Sequence, residues 1–584
     1  MSFLDGHKSS TYCFDDVRVE GANYRILKCG QVRILEPRAF DLLICLLENR
    51  GRVVEKDELF ERVWKRSFVT DSALTQEIRQ IRQAIGDDAG APRYIETVPK
   101  RGYRFIAEVN GSEAKITETD DGQVQSFNSV VVLPFANLNA DPELDFFVDG
   151  FTDLLITDLG KIRSLKVISR TSAMQFKTIS KPLPQIAEQL KVSAAVEGAV
   201  LRVGEQVRVT VQLIEAATDQ HVWAECYDRD LRDILSLQSE LAGTVAEKIR
   251  VNMTPEEKAR LTSHPPVHPE AYEAYLKGNY FLLKFVPGGP QKAIEFFQSA
   301  IEKEPNYAAA YAGLADTYGH LGFWGMVAPN EVASKIEATA MKALELDDSL
   351  CEAHTILGKH RFYYDLDRLA AEQEFKRAIE LNPNNISAIT HHALCLATMG
   401  RLNEALAEIE RAHNLDPLSI PVSAIVGWHL FVLGRWDKAI EQWQMTLEME
   451  PNFTLSHWLL WRVYRLKGMF EDALSEFFRL SLLYNSKVME AAKEGFAKSG
   501  YQIAMHRAAE TMADQAKEHY VPPIHIAMLF VHAGDTGLGI KWLERAHEVH
   551  DPKLISVSVE PDWEGLRSSQ CFQQLIQRFA LPTE

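Results

Sequence analysis

Gln76, Arg79, Gln80 and Gln83 fall at i, i+3, i+4 and i+7 within residues 72–85, a spacing that puts all four side chains on one face of an α-helix. Three neutral amides and a guanidinium differ from the Glu/Lys mixture that covers an ordinary solvated helix. They are the groups that pair bidentately with adenine and guanine edges in a major groove. Downstream, Lys100 and Arg101 sit in the short segment 99–102, followed by Tyr103. Two adjacent cations on a turn suit a phosphate backbone or a minor groove. Glu77, on the same helix, repels phosphate and would be useful only against a cytosine amine.

The elements that must hold these residues are legible around them. Leu74, Ile78, Ile81 and Ile85 form an apolar stripe opposite the polar face, Thr70 or Asp71 can cap the helix, and Gly86 is placed to end it. Residues 94–98 and 103–106 read as two strands about the basic turn. Residues 37–49 and 57–64 have helical apolar spacing and are joined through Gly51 and the β-prone Val53 and Val54. Residues 13–35 alternate as short strands with Gly21 and Gly30 at turns. Strands, three helices and a hairpin describe a winged helix. The alternative is a helical subdomain whose polar face only meets water, and the hairpin and upstream helices weigh against it.

Residues 12–108 resemble the OmpR/PhoB-type winged-helix DNA-binding domain through EPRAFDLLICLLENRGRVVEKDELFERVW, DSALTQEIRQIRQAIGDD and YIETVPKRGYRF. The resemblance implies that residues 72–85 are a recognition helix in the major groove and that Lys100 and Arg101 form the wing. It also puts Gln76, Glu77, Arg79, Gln80 and Arg82 on positions that face DNA in that family. The PKRGY turn is closer to the ToxR, CadC and HilA branch than to the two-component branch. Too few residues precede the domain for a phosphoacceptor receiver.

Composition sets the frame. A chain of 584 residues is too long for one core and suggests three or four domains. Its 46% hydrophobic and 25% charged content is globular. The formal net charge of -18 is the opposite of what binding DNA asks for, but residues 1–110 hold 18 basic and 17 acidic side chains, so the acidity lies elsewhere. It should hold the remainder off DNA and leave binding to a local patch. The seven cysteines are scattered, odd in number and without a CxxC pair, which points to reduced thiols in a cytosol. The start has no signal-peptide pattern, and no apolar run reaches the ~18 residues of a membrane helix. The expectation is a cytoplasmic protein, unlike ToxR and CadC, where a membrane span follows the winged helix.

Residues 111–127 are polar and aperiodic and read as a linker. Residues 128–252 switch to α/β: an apolar strand at 130–135, a helix at 144–159, a strand at 165–169, a helix at 186–190, a hairpin through Gly204, a strand at 221–227 and a closing helix at 231–249. VVLPF, GFTDLLITDL, VISRTSA and the stretch from EGAVLRV to DRDL resemble a TolB-like or FlgO-like domain, which implies no particular activity. Asp145, Asp149, Asp153 and Asp158 raise a metal site, against the plainer reading of a solvated helix face. There is no Walker loop, GxGxxG or HExxH. No catalytic residue, metal or cofactor is expected, and the chain reads as a non-enzyme.

From residue 253 the chain repeats. Pro305, Asp348, Pro383, Pro417 and Pro451 occupy one slot at spacings of 43, 35, 34 and 34 residues. Ala293, Ala371, Ala405, Ala439 and Ala473, each followed four residues later by Phe297, Phe375, Ile409, Trp443 or Phe477, mark close helix packing. Gly400, Gly434 and Gly468 mark turns. A 34-residue, two-helix unit is the tetratricopeptide signature. The 43-residue spacing reads as a turn lengthened near 322–330. Stacked units make a superhelix whose concave face holds a protein or peptide segment, with His391, His392, Trp428, His429, Trp458 and Trp461 as possible contacts and Trp443 as core. Repeats span 253–485, and 486–584 read as degenerate helical repeats and a cap.

The expected architecture is multidomain: a winged helix-turn-helix at 1–110, an α/β TolB-like domain, then an all-α tetratricopeptide superhelix. The expected function is sequence-specific DNA-binding transcription regulation at a promoter, with the superhelix binding a protein partner. Contact with RNA polymerase and a homo-oligomer are compatible with that reading; a membrane partner is not. The alternatives are an interaction scaffold whose winged helix does not bind DNA specifically, and a module accompanying nucleotide cyclases or kinases.

Overall fold

The computed structural model describes residues 11–20, 25–28, 31–33, 35, 37–64, 71–99, 101–107, 109–112, 127–139, 141–179, 181–251, 253–262, 267–283, 288–481 and 483–579. They form two compact units divided near residue 125.

The first unit opens with strands β1 (Thr11–Phe14), β2 (Val17–Glu20), β3 (Arg25–Lys28) and β4 (Gln31–Arg33). Helices α1 (Pro37–Glu48), α2 (Lys56–Trp64) and α3 (Asp71–Ile85) follow, with the short strand β5 (Val54–Glu55) before α2. The unit closes with β6 (Ile95–Val98), β7 (Gly102–Phe105) and β8 (Asn110–Ser112). Sheet order is β4-β3-β2-β1-β8 for one sheet and β5-β7-β6 for the other. The start of the expected linker is therefore structured: Gly111 pairs with Tyr12 and Ser112 with Thr11, because the outer edge of β1 offers unpaired backbone groups. The stripe of α3, Leu74, Ile78, Ile81 and Ile85, is buried with Leu42, Leu43 and Leu46 of α1. Phe14 sits 5.0 Å from the rings of both Tyr94 and Phe105, joining the two sheets.

In the second unit β9 (Ser129–Val132), β10 (Ala136–Asn137), α4 (Asp145–Gly160), β11 (Lys166–Val167), α5 (Arg170–Met174) and α6 (Leu183–Leu190) lead into β12 (Ala194–Val203), β13 (Gln206–Glu215) and β14 (Gln220–Asp230). The strands form a mixed sheet of order β11-β9-β12-β13-β14, with β10 beside β12. The four buried residues of β9 explain its continuous apolar run, since both its faces are covered. α7 (Ile234–Ile249) and α8 (Pro255–Thr262) then lead to the helical array.

The array consists of antiparallel pairs: α9 (Pro269–Leu283) with α10 (Gly289–Lys303), α11 (Ala308–Phe323) with α12 (Pro329–Leu346), α13 (Cys351–Tyr363) with α14 (Arg368–Leu381) and α15 (Ile386–Thr398) with α16 (Leu402–Leu415). α17 (Ile420–Val432) with α18 (Trp436–Met449), α19 (Thr454–Leu466) with α20 (Phe470–Phe477), α21 (Ser486–Ser499) with α22 (Tyr501–Gln515) and α23 (Pro523–Ala533) with α24 (Thr536–Glu548) continue it. Two 3-10 segments and α25 (Gln570–Phe579) end it. The repeated alanines and the large side chains four residues on are fully buried. Their seat is a missing side chain on the facing helix: a Cβ on Gly358 would lie 2.6 Å from the Phe375 ring, and one on Gly427 2.3 Å from the Trp443 indole nitrogen. The extra residues before Asp348 are not only a longer turn. α11 and α12 have 16 and 18 residues, against 13 and 14 in α13 and α14, so part of the insertion extends the helices.

The turns between repeats do a second job. Asn384 donates to the carbonyls of Gly160 and Leu165 and accepts from the Val167 amide, while Asp416 accepts from the amide and hydroxyl of Ser172. The neighbours of Pro383 and Pro417, which mark the repeat period, thus dock the array on the mixed sheet.

Candidate functional site

On α3 the structure brings Gln76, Arg79 and Gln83 together on an exposed face, with Gln80 half-buried beside them. Behind this face the helix is fixed at its end: Gly86 takes φ +72°, and the Lys28 ammonium donates to the Ile85 carbonyl at 2.6 Å. A cation there satisfies a terminal carbonyl and the helix dipole together. The wing is fixed equally firmly. A Cβ on Gly102 would meet the Val54 carbonyl oxygen at 2.0 Å, so only glycine lets β5 and β7 approach. Glu96 and Arg104 pair across β6 and β7.

Two of the candidate residues have other surroundings. Arg82 lies about 240° around the helix from Gln76 at ~100° per residue and turns to the wing, donating to the Ile95 carbonyl at 2.7 Å and the Thr97 hydroxyl at 2.9 Å. Tyr103 is 5% exposed and belongs to the core, paired with Val54 and Thr97. Lys100 lies outside the described residues. Arg101 is exposed at the turn, its amide bonded to Val98 and its carbonyl to the Lys56 amide. Sequence reasoning missed Asp87, whose side chain is fully buried and accepts from the amides of Arg93, Tyr94 and Ile95. Three amides on one carboxylate fix the loop from the helix to the wing. The signal was the Asp-Asp-Ala-Gly turn, which shows a polar loop but not where its carboxylates point.

The inner face of the array is the second constellation. The chain's own residues 551–563 lie against it. Lys553 donates to the Phe323 carbonyl at 2.6 Å, Arg368 to that of Ile555, and Trp428 to Glu560 at 3.0 Å. Arg462, fully buried, pairs with Glu560 at 2.7 Å and Asp562 at 2.6 Å. His532 approaches Asp562 at 3.4 Å and burial pushes its pKa down to about 4, so it stands there as a neutral imidazole. Of the aromatic and histidine side chains expected as contacts, Trp428 and Trp461 are thereby engaged within the fold, Trp461 through the Tyr501 hydroxyl.

Along the same face lies a cavity of about 2250 Å³ lined by the inner faces of α11, α13 and α15, by residues of α4 and α5, by Trp428 and Trp458, and by Lys553, Ile555 and Glu560 of the C-terminal segment. Asp316 and Lys359 form an ion pair on its wall. Burial opposes the Asp316 charge, but Lys359 and His320 outweigh it and hold the carboxyl at about 2. His391, which burial and Lys359 push down to about 4, lies on the same wall. Asp145 and Asp149 both face Lys177, Asp153 faces Arg170, and Asp158 faces Lys161. The four carboxylates of α4 thus point to three different cations and not to one shared centre. Among the described residues no group of three or more His, Cys, Asp or Glu has the geometry of a metal site, and no helix is long and apolar enough to cross a membrane.

Residues 30–105 match the family described as Transcriptional regulatory protein, C terminal. The chain carries an OmpR/PhoB-type winged helix joined to tetratricopeptide repeats. It is 23% identical to Transcriptional regulator HilA of Salmonella typhi over 74% of this chain and 75% of that protein. It is 44% identical to Transcriptional activator CadC of Escherichia coli over 15% of this chain and 17% of that protein. A protein named "Putative adenylate cyclase 3" from Rhizobium meliloti is 32% identical over 40% of each chain. The chain thus spans less than half the length of the cyclase-named and CadC relatives and three quarters of HilA.

Proposed function

We propose that the chain is a sequence-specific DNA-binding transcription regulator in which α3 enters the major groove, the wing holds the backbone, and the helical array binds a protein partner. The observation that carries this reading is the exposed row of Gln76, Arg79 and Gln83 on a helix anchored at its C-terminal end and tied to a wing with exposed Arg101. Amide and guanidinium groups there suit base edges, and a cation on the wing suits phosphate. Lys100 is assigned to the wing on its place in the sequence. The mixed α/β region, TolB-like by its sequence, acts here as the platform on which the array docks, and no catalytic role is assigned to any part of the chain. RNA polymerase and a second copy are natural partners for such a regulator. The name HilA, borne by a relative aligned over three quarters of its length, supports the reading.

The test is binding of the full chain to fragmented genomic DNA from its source across a salt series. Selective binding that falls steeply with salt, and loses its selectivity with Arg79→Ala, is the expected result. Indifference of all fragments to that change would leave the scaffold reading instead.

A further inference from the structure

The groove of the array finds countercharges within the chain for some of its side chains and not for others. Arg462 has its countercharge within the chain, from Glu560 and Asp562. Apart from Glu560, the cavity along the groove is lined by eight carboxylates, against four cations in Lys161, Arg170, Lys359 and Lys553. Glu352 lines it with no ion pair among the described residues. Asp153, next to it, is held above the ordinary carboxylate range by burial, with Glu352 and Asp149 adding to the effect against Arg170, which is 3.8 Å away. Aromatic rings of Tyr275, Phe323, Tyr363, Trp428 and Trp458 line the same space. Two nearly buried polar groups on its wall, the Thr390 hydroxyl (8% exposed) and the His525 ring nitrogen Nε2 (3% exposed), have no hydrogen-bond partner.

We infer that this cavity takes an extended basic segment of a partner protein, its Lys or Arg side chains meeting Asp153 and Glu352 and its apolar stems lying on the aromatic wall. The inference rests on the proposed partner-binding role of the array and names the chemistry of that partner. An excess of carboxylates in a low-dielectric space attracts a cation more strongly than the same charges in water. Aromatic faces add cation–π attraction. The volume is more than twice the upper end of the ~300–1,000 Å³ typical of small-molecule pockets, which favours a chain segment over a compact ligand. The precedent is in the molecule: its own residues 551–563 lie along the same face and form part of the cavity wall, held by charge pairs and backbone carbonyls.

The experiment uses the full chain and three fluorescein-labelled octapeptides that alternate leucine with lysine, glutamate or serine. The expected result is binding of the lysine peptide alone, by fluorescence anisotropy. Asp153→Asn with Glu352→Gln should weaken it about tenfold, a change of about 1.4 kcal/mol. A control with the same net charge, Glu441→Gln with Glu448→Gln on the exposed side of α18, should leave it unchanged. Ser387→Arg, at an exposed position on the cavity wall, should abolish it without needing any buried carboxylate to be altered. Equal weakening by the control pair, or no effect of Ser387→Arg, would overturn the proposal by showing adsorption to an acidic surface. Binding of the glutamate or serine peptide that Ser387→Arg alters would overturn the basic-segment assignment while leaving the groove a partner site. No binding of any peptide would remove both.

Discussion

Arg79 and Arg462 carry the same guanidinium on helices of 15 and 13 residues, and their surroundings give them opposite work. Arg79 faces water on α3. Its charge is screened and already hydrated, so exchanging water for a base edge or a phosphate costs little. Arg462 is fully buried, between Glu560 and Asp562, with its guanidinium 4.4 Å from the centre of the Trp458 ring. Removing that charge from water is expensive and is offset only while both carboxylates are in place. Exposure, more than residue type, decides whether a charge is available to a partner or committed to the fold.

The largest expected effect follows from that commitment. Arg462→Ala leaves two carboxylates buried without their cation and should destabilise the chain by about 3–5 kcal/mol, read as a fall in the denaturation midpoint. A change below ~1 kcal/mol would mean that the C-terminal segment is not held there in solution. Arg79→Ala should do the reverse: an unchanged melting curve and a loss of about 1–3 kcal/mol of discrimination between the preferred site and competitor DNA. If Arg79→Ala lowered stability instead, the contrast between the two arginines would collapse.

What could be read from the sequence follows the same division. The stripe of α3, the hairpin about Gly102 and the repeat of Ala and large side chains are local or periodic patterns, so they are visible one window at a time. The partners of Arg462 lie about 100 residues along the chain, in a segment that reads simply as a cap. Nothing in the WLLWRVYR helix shows that its arginine is buried rather than presented to a ligand. Pro383 and Pro417 are legible as repeat markers, but the use of their neighbours Asn384 and Asp416 in docking the mixed sheet is not, because each bond spans more than 200 residues. Arg82 is the instructive case on α3. Family likeness put it on the DNA-facing side, whereas the ~100° step of the helix and the position of the wing direct it to Ile95 and Thr97.

Arg82 therefore sharpens the comparison as an exposed-face candidate expected to behave like a structural residue. Arg82→Ala should cost about 1–2 kcal/mol through two lost hydrogen bonds and weaken binding to all DNA alike. A selective loss at one base position would instead assign it to base recognition.

The smallest effect concerns His457, which joins α19 to α20 with an acceptor at each ring nitrogen, Glu476 at one and the Pro451 carbonyl at 2.8 Å at the other. Two acceptors at His457 call for two ring protons, and so for imidazolium. Burial opposes that charge at His457, but the bonds to Glu476 and Pro451 outweigh it and raise its pKa above the ordinary value. A histidine raised on folding stabilises fully below its unfolded pKa of about 6.5 and loses that contribution as pH rises through the folded value. His457→Gln should accordingly cost about 1 kcal/mol at pH 6 and less at pH 9, in denaturation curves taken side by side. Equal losses at both pH values would mean that the ring is neutral throughout and serves only as a spacer between the helices. The charge here is neither exposed like Arg79 nor closed in like Arg462: it exists because two acceptors meet one ring, and pH alone can remove it without moving an atom of the backbone.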